Sequence, residues 1–252
     1  MLNIVIPMAG RGSRFQKAGY TLPKPLIPVL GKPMISLVIG NLRPRVPHRF
    51  IFIVLADHIE QYQIDQQLRQ WVPNCEVVVV DQVTEGAACT VLLAKAFINT
   101  DQPLMIANSD QWVDIDVNDY LNHMEAELAD GLIMTMTAND PKWSFVKFDP
   151  QGRVVAVVEK QVVSQEATVG IYNYRRGRDF VTAAEAMIAR DFRVNGEFYV
   201  APAYDEMVAR GMSLVCYNIG SEANGMYGLG IPADLDLFLS LPVSQKAAAG
   251  AV

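Results

Sequence analysis

At 252 residues, with 51% hydrophobic and 19% charged residues, the chain carries enough apolar material for one sizeable core and too much to stay disordered. A net charge of −6 excludes a broad electrostatic footprint for nucleic acid, and no segment is long and apolar enough to span a bilayer. Cys75, Cys89 and Cys216 show neither disulfide nor metal-ligand spacing, and the start lacks the basic and apolar regions of a secretory leader, so a reducing, cytoplasmic setting is expected.

In chain order, Leu2 to Pro7 reads as a strand and Pro33 to Leu42 as a helix with Met34, Leu37 and Val38 on one face. Phe50 to Leu55 is a second strand, His58 to Trp71 a helix, Glu76 to Val80 a third strand and Ala87 to Phe97 a helix. Leu104 to Ala107 is a fourth strand, followed by a helix over Val117 to Leu128. Strands alternating with amphipathic helices predict an α/β fold, and nearly all-apolar strands predict a mainly parallel sheet covered on both faces. Beyond Asp130 the pattern changes to short strands: Leu132 to Thr137, Ser144 to Phe148, Val154 to Glu159 and Thr168 to Tyr174, with a turn at Pro150-Gln151-Gly152. Helices over Arg178 to Arg190 and Tyr204 to Arg210 and a strand over Leu214 to Ile219 complete a mixed β half. The expected organisation is one domain over 1–240, made of halves 1–130 and 131–240, with an Ala/Ser/Gly-rich tail from Leu241 to Val252 that should fray.

The first strand runs into Met8-Ala9-Gly10-Arg11-Gly12-Ser13-Arg14-Phe15, and Pro23-Lys24-Pro25 follows. Glycines let backbone N–H groups approach an anion, and arginine forks match pairs of phosphate oxygens. The loop therefore fits a nucleoside triphosphate, although a tight strand-to-helix turn would also explain the glycines alone. It is not a Walker loop, since no Gly-Lys-Ser/Thr follows, and Phe15 stands where a dinucleotide fingerprint needs its third glycine. Asp110 ends the stretch Leu104-Met105-Ile106-Ala107-Asn108-Ser109-Asp110 at the carboxyl edge of a strand, where open α/β sheets place ligands. It is the best candidate for a magnesium ligand, with a helix or turn cap as the alternative. Asp114 and Asp116 form an Asp-x-Asp of the kind that metal-dependent glycosyltransferases use at strand ends, though Asp116 also suits the N-cap of the helix at Val117. His48, His58 and His123 share no motif.

Gly10 to Phe15 with Pro23-Lys24-Pro25 resembles the signature of sugar-phosphate nucleotidyltransferases, or NDP-sugar pyrophosphorylases. The string Ala18-Gly19-Tyr20-Thr21-Leu22-Pro23-Lys24-Pro25-Leu26 resembles their compact capsule and surface-polysaccharide branch. The likeness extends from Ile4 to about Leu239 and implies a Rossmann-like, GT-A-type three-layer fold. It implies catalytic roles for Arg14, Lys24, Asp110 and Lys160, with Mg2+ on Asp110. Nucleotide contacts would come from Met8, Ala9, Gly10, Arg11, Gly12, Ser13, Gln82, Gly86 and Ser109; the loop Asp81 to Ala88 resembles the base-reading segment, or is an ordinary strand–helix turn. Glu159-Lys160 resembles the pair that meets the acceptor body and its phosphate, Gly170 the glycine lining the acceptor pocket, and Asn195, Glu197 and Tyr199 the loop closing it, with Trp143 as a wall or a core aromatic.

One departure stands out. The family's second metal-holding aspartate falls where this chain has Gly228, in Met226-Tyr227-Gly228-Leu229-Gly230-Ile231-Pro232, so either Asp110 acts alone, or a group such as Glu222 or Asn224 substitutes, or activity is impaired. The resemblance implies transfer of a nucleoside monophosphate from a triphosphate to a phosphorylated acceptor, a sugar 1-phosphate first, with pyrophosphate released. Partners would be those two small molecules, without nucleic acid or membrane; a homo-oligomer is compatible. The rivals are a cytidylyltransferase for a non-sugar phosphoryl acceptor, a glycosyltransferase using Asp114 and Asp116, and a non-catalytic nucleotide-sugar-binding protein.

Overall fold

Nearly every residue of the first strand is buried, because helices cover both faces of the sheet it belongs to. The computed structural model describes residues 1–252. Its first half contains β1 (Leu2–Pro7), α1 (Ser13–Lys17), a 3-10 turn at Lys24–Leu26, the small ribbon β2 (Pro28–Val29) and β3 (Lys32–Pro33), α2 (Met34–Leu42), β4 (His48–Leu55), α3 (Ala56–Tyr62), α4 (Ile64–Trp71), β5 (Glu76–Val80), α5 (Ala87–Leu92), α6 (Lys95–Ile98), β6 (Leu104–Ala107), β7 (Gln111–Val113) and α7 (Val117–Ala126). The second contains β8 (Gly131–Thr137), β9 (Ser144–Phe148), β10 (Val154–Glu159), β11 (Glu166–Tyr174), α8 (Gly177–Ala189), α9 (Ala203–Ala209), β12 (Leu214–Glu222), β13 (Gly225–Gly228), α10 (Pro232–Ser240) and α11 (Val243–Ala249).

One 11-stranded sheet runs through both halves, in the order β5-β4-β1-β6-β11-β8-β12-β13-β7. β5, β4, β1 and β6 are parallel; β11 enters antiparallel between β6 and β8, and β12 returns parallel to β8. The β9–β10 ribbon hangs off β11 through Ala167 and Phe145, which lifts Glu159 and Lys160 to the rim of the sheet. Alternation along β1 sends Ile4 and Ile6 into a core with Val38, Phe50, Phe52 and Tyr120, and Val5 into the opposite core with Ile53, Val91, Phe180 and Tyr204. This is the α/β, Rossmann-like, mostly parallel layered architecture expected from the sequence.

Three expectations need correction. The helix expected over His58 to Trp71 is two helices, broken at Gln63, which adopts a left-handed conformation (φ 50°) that caps α3 and starts α4. The helix expected over Ala87 to Phe97 is also divided, into α5 and α6. The tail from Leu241 is not frayed: α11 buries Ser244 and Ala247, and its end seats on α2 so closely that a Cβ on Gly40 would strike the Gly250 carbonyl. Small residues, which look like a disordered composition, are what close helix packing requires here. α10 and α11 join Phe15, Trp112 and Leu229 in a third core cluster beside the mouth of the sheet.

Candidate active site

The carboxyl ends of β1 and β6 and the rim formed by β10, β11 and β13 surround a recess of about 390 Å³. The phosphate-type loop sits at its mouth. Met8 and Ala9 are buried, and Met8 N–H donates to the Ile53 carbonyl at 3.0 Å, so the loop is anchored where it leaves the sheet. Gly10, Arg11, Ser13 and Arg14 are exposed. Gly12 takes φ 61° and ψ 34° at the N-cap of α1, and a Cβ there would lie 3.1 Å from Lys24 Cβ; glycine is needed for both reasons. Phe15 is driven into the third core cluster, which leaves its neighbour Arg14 on the recess wall. Arg11 turns towards Asp57, 3.9 Å away at the surface.

Lys24 is fixed between two buried prolines, and its Nζ donates to Asp110 Oδ2 at 2.7 Å. Asp110 lies between β6 and β7 and is held by its backbone as well, its carbonyl accepting from Leu229 N–H at 2.8 Å. Ser109 beside it is buried and does not line the recess.

Gly170, on β11 with φ 80°, forms part of the floor. A Cβ there would overlap Asn108 Nδ2 and come within 2.5 Å of Gln111 Oε1, so the glycine makes room for both amides. Asn108, Gln111, Ser144, Thr168 and Tyr172 all face the recess, and the Thr168 and Tyr172 hydroxyls lie 3.1 Å apart. Gln111 Oε1 and Trp143 Nε1 are buried there without protein partners. Glu159 faces the same space, and burial raises its carboxyl above the usual glutamate range. Lys160, at φ 58°, lines the recess and donates from Nζ to the Lys142 carbonyl at 2.5 Å. Tyr199 completes this wall, its hydroxyl pKa raised by burial.

Arg14, Asp110, Glu159, Lys160, Gly170 and Tyr199 thus meet at one recess, with Trp143 on its wall and Lys24 joined to it through Asp110. Asn195 and Glu197 do not line it. They sit on the exposed turn between Val194 and Glu197, and the following Phe198 is what carries Tyr199 to the wall. Gly86 serves that docking: at φ 139° its face is filled by the Phe198 backbone, whose N lies 2.5 Å from a Cβ built there. Gln82 is exposed on the loop before it and lies off the recess. The Asp-x-Asp lies elsewhere: Asp114 pairs with Lys246, while Asp116 caps α7 by accepting from Asn118 N–H at 2.9 Å and pairs with Arg45 at 2.8 Å. A glycosyltransferase-type metal pair on those two residues is therefore not what this fold presents.

Asn108, Gln111, Lys142 and Asp234 belong to the recess and were not singled out by sequence reasoning. For the first two a signal existed, since they bracket Ser109-Asp110 at a strand end. Asp110 and Asp234 supply oxygen donors of the kind magnesium takes, at a mouth flanked by Arg14. Burial raises the Asp234 carboxyl above the ordinary aspartate range; Lys142 opposes this, while Glu222 and Asp110 add to it.

A family model described as nucleotidyl transferase matches residues 4–191. The fold superposes on a nucleoside-diphosphate-sugar pyrophosphorylase from Vibrio cholerae RC9 with a TM-score of 0.81 and 25% identity, covering 94% of this chain and 100% of that one. Mannose-1-phosphate guanyltransferase of Hypocrea jecorina is 27% identical over 187 residues, 67% of this chain and 48% of that protein. The bifunctional protein GlmU of Burkholderia mallei is 26% identical over 223 residues, 85% and 46% respectively. The chain spans about half the length of the curated relatives it matches.

Proposed function

This chain belongs to the nucleotidyl transferase family, and from that premise we propose that it transfers a nucleoside monophosphate from a triphosphate to a sugar 1-phosphate, releasing pyrophosphate. The observation that carries the reading is the convergence of Arg14, Asp110, Glu159 and Lys160 on one recess, with Lys24 joined to it through Asp110. Arg14 on the recess and Lys24 beside Asp110 suit a triphosphate, and a further lysine, Lys160, suits the phosphate of a second substrate. The relatives named for guanylyl transfer to mannose 1-phosphate support the same class of acceptor.

An acceptor phosphate oxygen attacks the α-phosphorus, the bond from that phosphorus to the bridging oxygen breaks, and pyrophosphate leaves with the electron pair. The acceptor phosphate is already an anion at neutral pH, so no general base is needed. The work is to bring two anions together in line and to stabilise charge on the α-phosphate and the leaving group. Arg14 does this from the recess wall and Lys24 from beside Asp110. Lys160 holds the acceptor phosphate as a point charge, and Glu159, with Thr168 and Tyr172 deeper in the recess, offers hydrogen-bond partners for a hydroxylated body. Magnesium on Asp110 would neutralise phosphate charge and orient the triphosphate. A cytoplasmic setting is supported by three unpaired cysteines, and a role in surface-glycan supply by the Ala18 to Leu26 string.

The experiment is pyrophosphate release from a panel of triphosphates, each with and without sugar 1-phosphates. Release that needs both substrates supports the reading; nucleoside diphosphate released from nucleotide sugars would favour glycosyl transfer, and no release from any pair would favour a non-catalytic binder.

A further inference from the structure

Gly228 removes the carboxylate that the resembled family carries at that position, yet the space in front of it is not empty. A Cβ built on Gly228 lies 3.2 Å from Asp234 Oδ2. A Cβ built two residues later, on Gly230, lies 2.7 Å from Asp110 Oδ2. The segment Gly228-Leu229-Gly230 therefore passes one carboxylate at each end and puts no side chain between them. Leu229 is fully buried in the third core cluster, and its N–H is bound to the Asp110 carbonyl, so the segment is fixed relative to Asp110. We propose that Asp234, in the first turn of α10, is the second metal-holding carboxylate of this site, taking the place that Gly228 gives up. This rests on the reading of the recess as a magnesium-dependent nucleotidyl transfer site.

The other candidates are spent elsewhere. Both Glu222 oxygens accept from Lys142 Nζ, at 2.8 and 3.1 Å, and Glu222 does not line the recess. Asn224 lies in the turn closed by the Ser221 N–H on its own carbonyl, also off the recess. An acidic residue in the first turn of a helix has an ordinary explanation in the helix dipole. That explanation does not account for an adjoining position reduced to glycine, nor for a second carboxylate, Asp110, on the same recess. Two carboxylates with phosphate and water oxygens make an ordinary magnesium shell.

The test is Mn2+ binding followed by electron paramagnetic resonance, with Mn2+ alone and with non-hydrolysable α,β-methylene nucleoside triphosphates. Asp234→Asn should weaken nucleotide-dependent Mn2+ binding about tenfold or more, since the charge count of the site falls while the shape is kept. The double variant Asp234→Ala with Gly228→Asp should recover most of that loss, because the backbone at 228 needs no positive φ and the neighbouring carboxylate has been removed. Wild-type affinity in Asp234→Asn would overturn the inference and leave the transferase reading standing. Wild-type protein that binds Mn2+ with none of the nucleotides would overturn that reading and the inference with it.

Discussion

Lys24 Nζ and Asp110 Oδ2 lie 2.7 Å apart across 86 positions of sequence. The pair ties the proline-flanked turn after the glycine loop to the carboxyl edge of β6, and it is four-fifths buried on both sides. Without substrate each charge satisfies the other. Bound phosphates and a cation would offer Lys24 and Asp110 separate partners, so the pair holds both groups ready at little desolvation cost on loading.

Replacing Lys24 or Arg14 by Ala is expected to lower turnover by about two to three orders of magnitude, the scale for losing one preorganised charge donor. Steady-state kinetics measures this. A folded Arg14→Ala protein with near-normal turnover would remove the phosphate role of the loop.

Asp110→Asn is expected to abolish metal-dependent turnover while leaving the circular dichroism spectrum unchanged. Asp114→Asn and Asp116→Asn should stay close to wild type, since the first faces Lys246 and the second caps α7. The reverse pattern in the same assay would revive the Asp-x-Asp as the catalytic pair.

Lys160 lines the recess from the end of β10, in the second half of the chain. Lys160→Ala should raise the KM for the acceptor phosphate about tenfold or more and leave that for the triphosphate within about twofold, as removal of one substrate's binding contact predicts. Equal weakening of both would contradict this division of the recess.

The C-terminal helix supplies a stability prediction. Gly40→Ala places a methyl group against the Gly250 carbonyl, so α11 must shift or detach from α2. The variant should lose about 1–3 kcal/mol in urea unfolding, the usual scale for an overpacked contact. An unchanged midpoint would mean that α11 contributes nothing to the folded state.

The parts of this molecule that were legible in the sequence are those governed by local pattern. The strands at Leu2–Pro7 and Glu76–Val80 have the expected bounds: the first is an apolar run buried on both faces of the sheet, the second a valine-rich run at its edge. The glycine loop, Lys24 and Asp110 were legible because charge and glycine stand out at strand ends. β7 and β13, three and four residues long, carry too little pattern to announce themselves and exist through pairing, β13 with β12 and β7 with β13. The Gln63 break is a single left-handed residue inside an otherwise helical pattern. Asp234 was invisible for a different reason: it lies six residues beyond Gly228, and only the start of α10 folds it back beside that glycine.

The central claim is attack at the α-phosphorus, and one isotope experiment addresses it. Separate samples of the triphosphate that releases pyrophosphate, labelled with 32P at the α or the γ position, are incubated with the purified protein, magnesium and a sugar 1-phosphate. The account predicts that α label enters a nucleoside diphosphate sugar while γ label is recovered only in pyrophosphate, both in proportion to acceptor. Label from the γ position on the acceptor, or α label that never leaves the triphosphate, would contradict it.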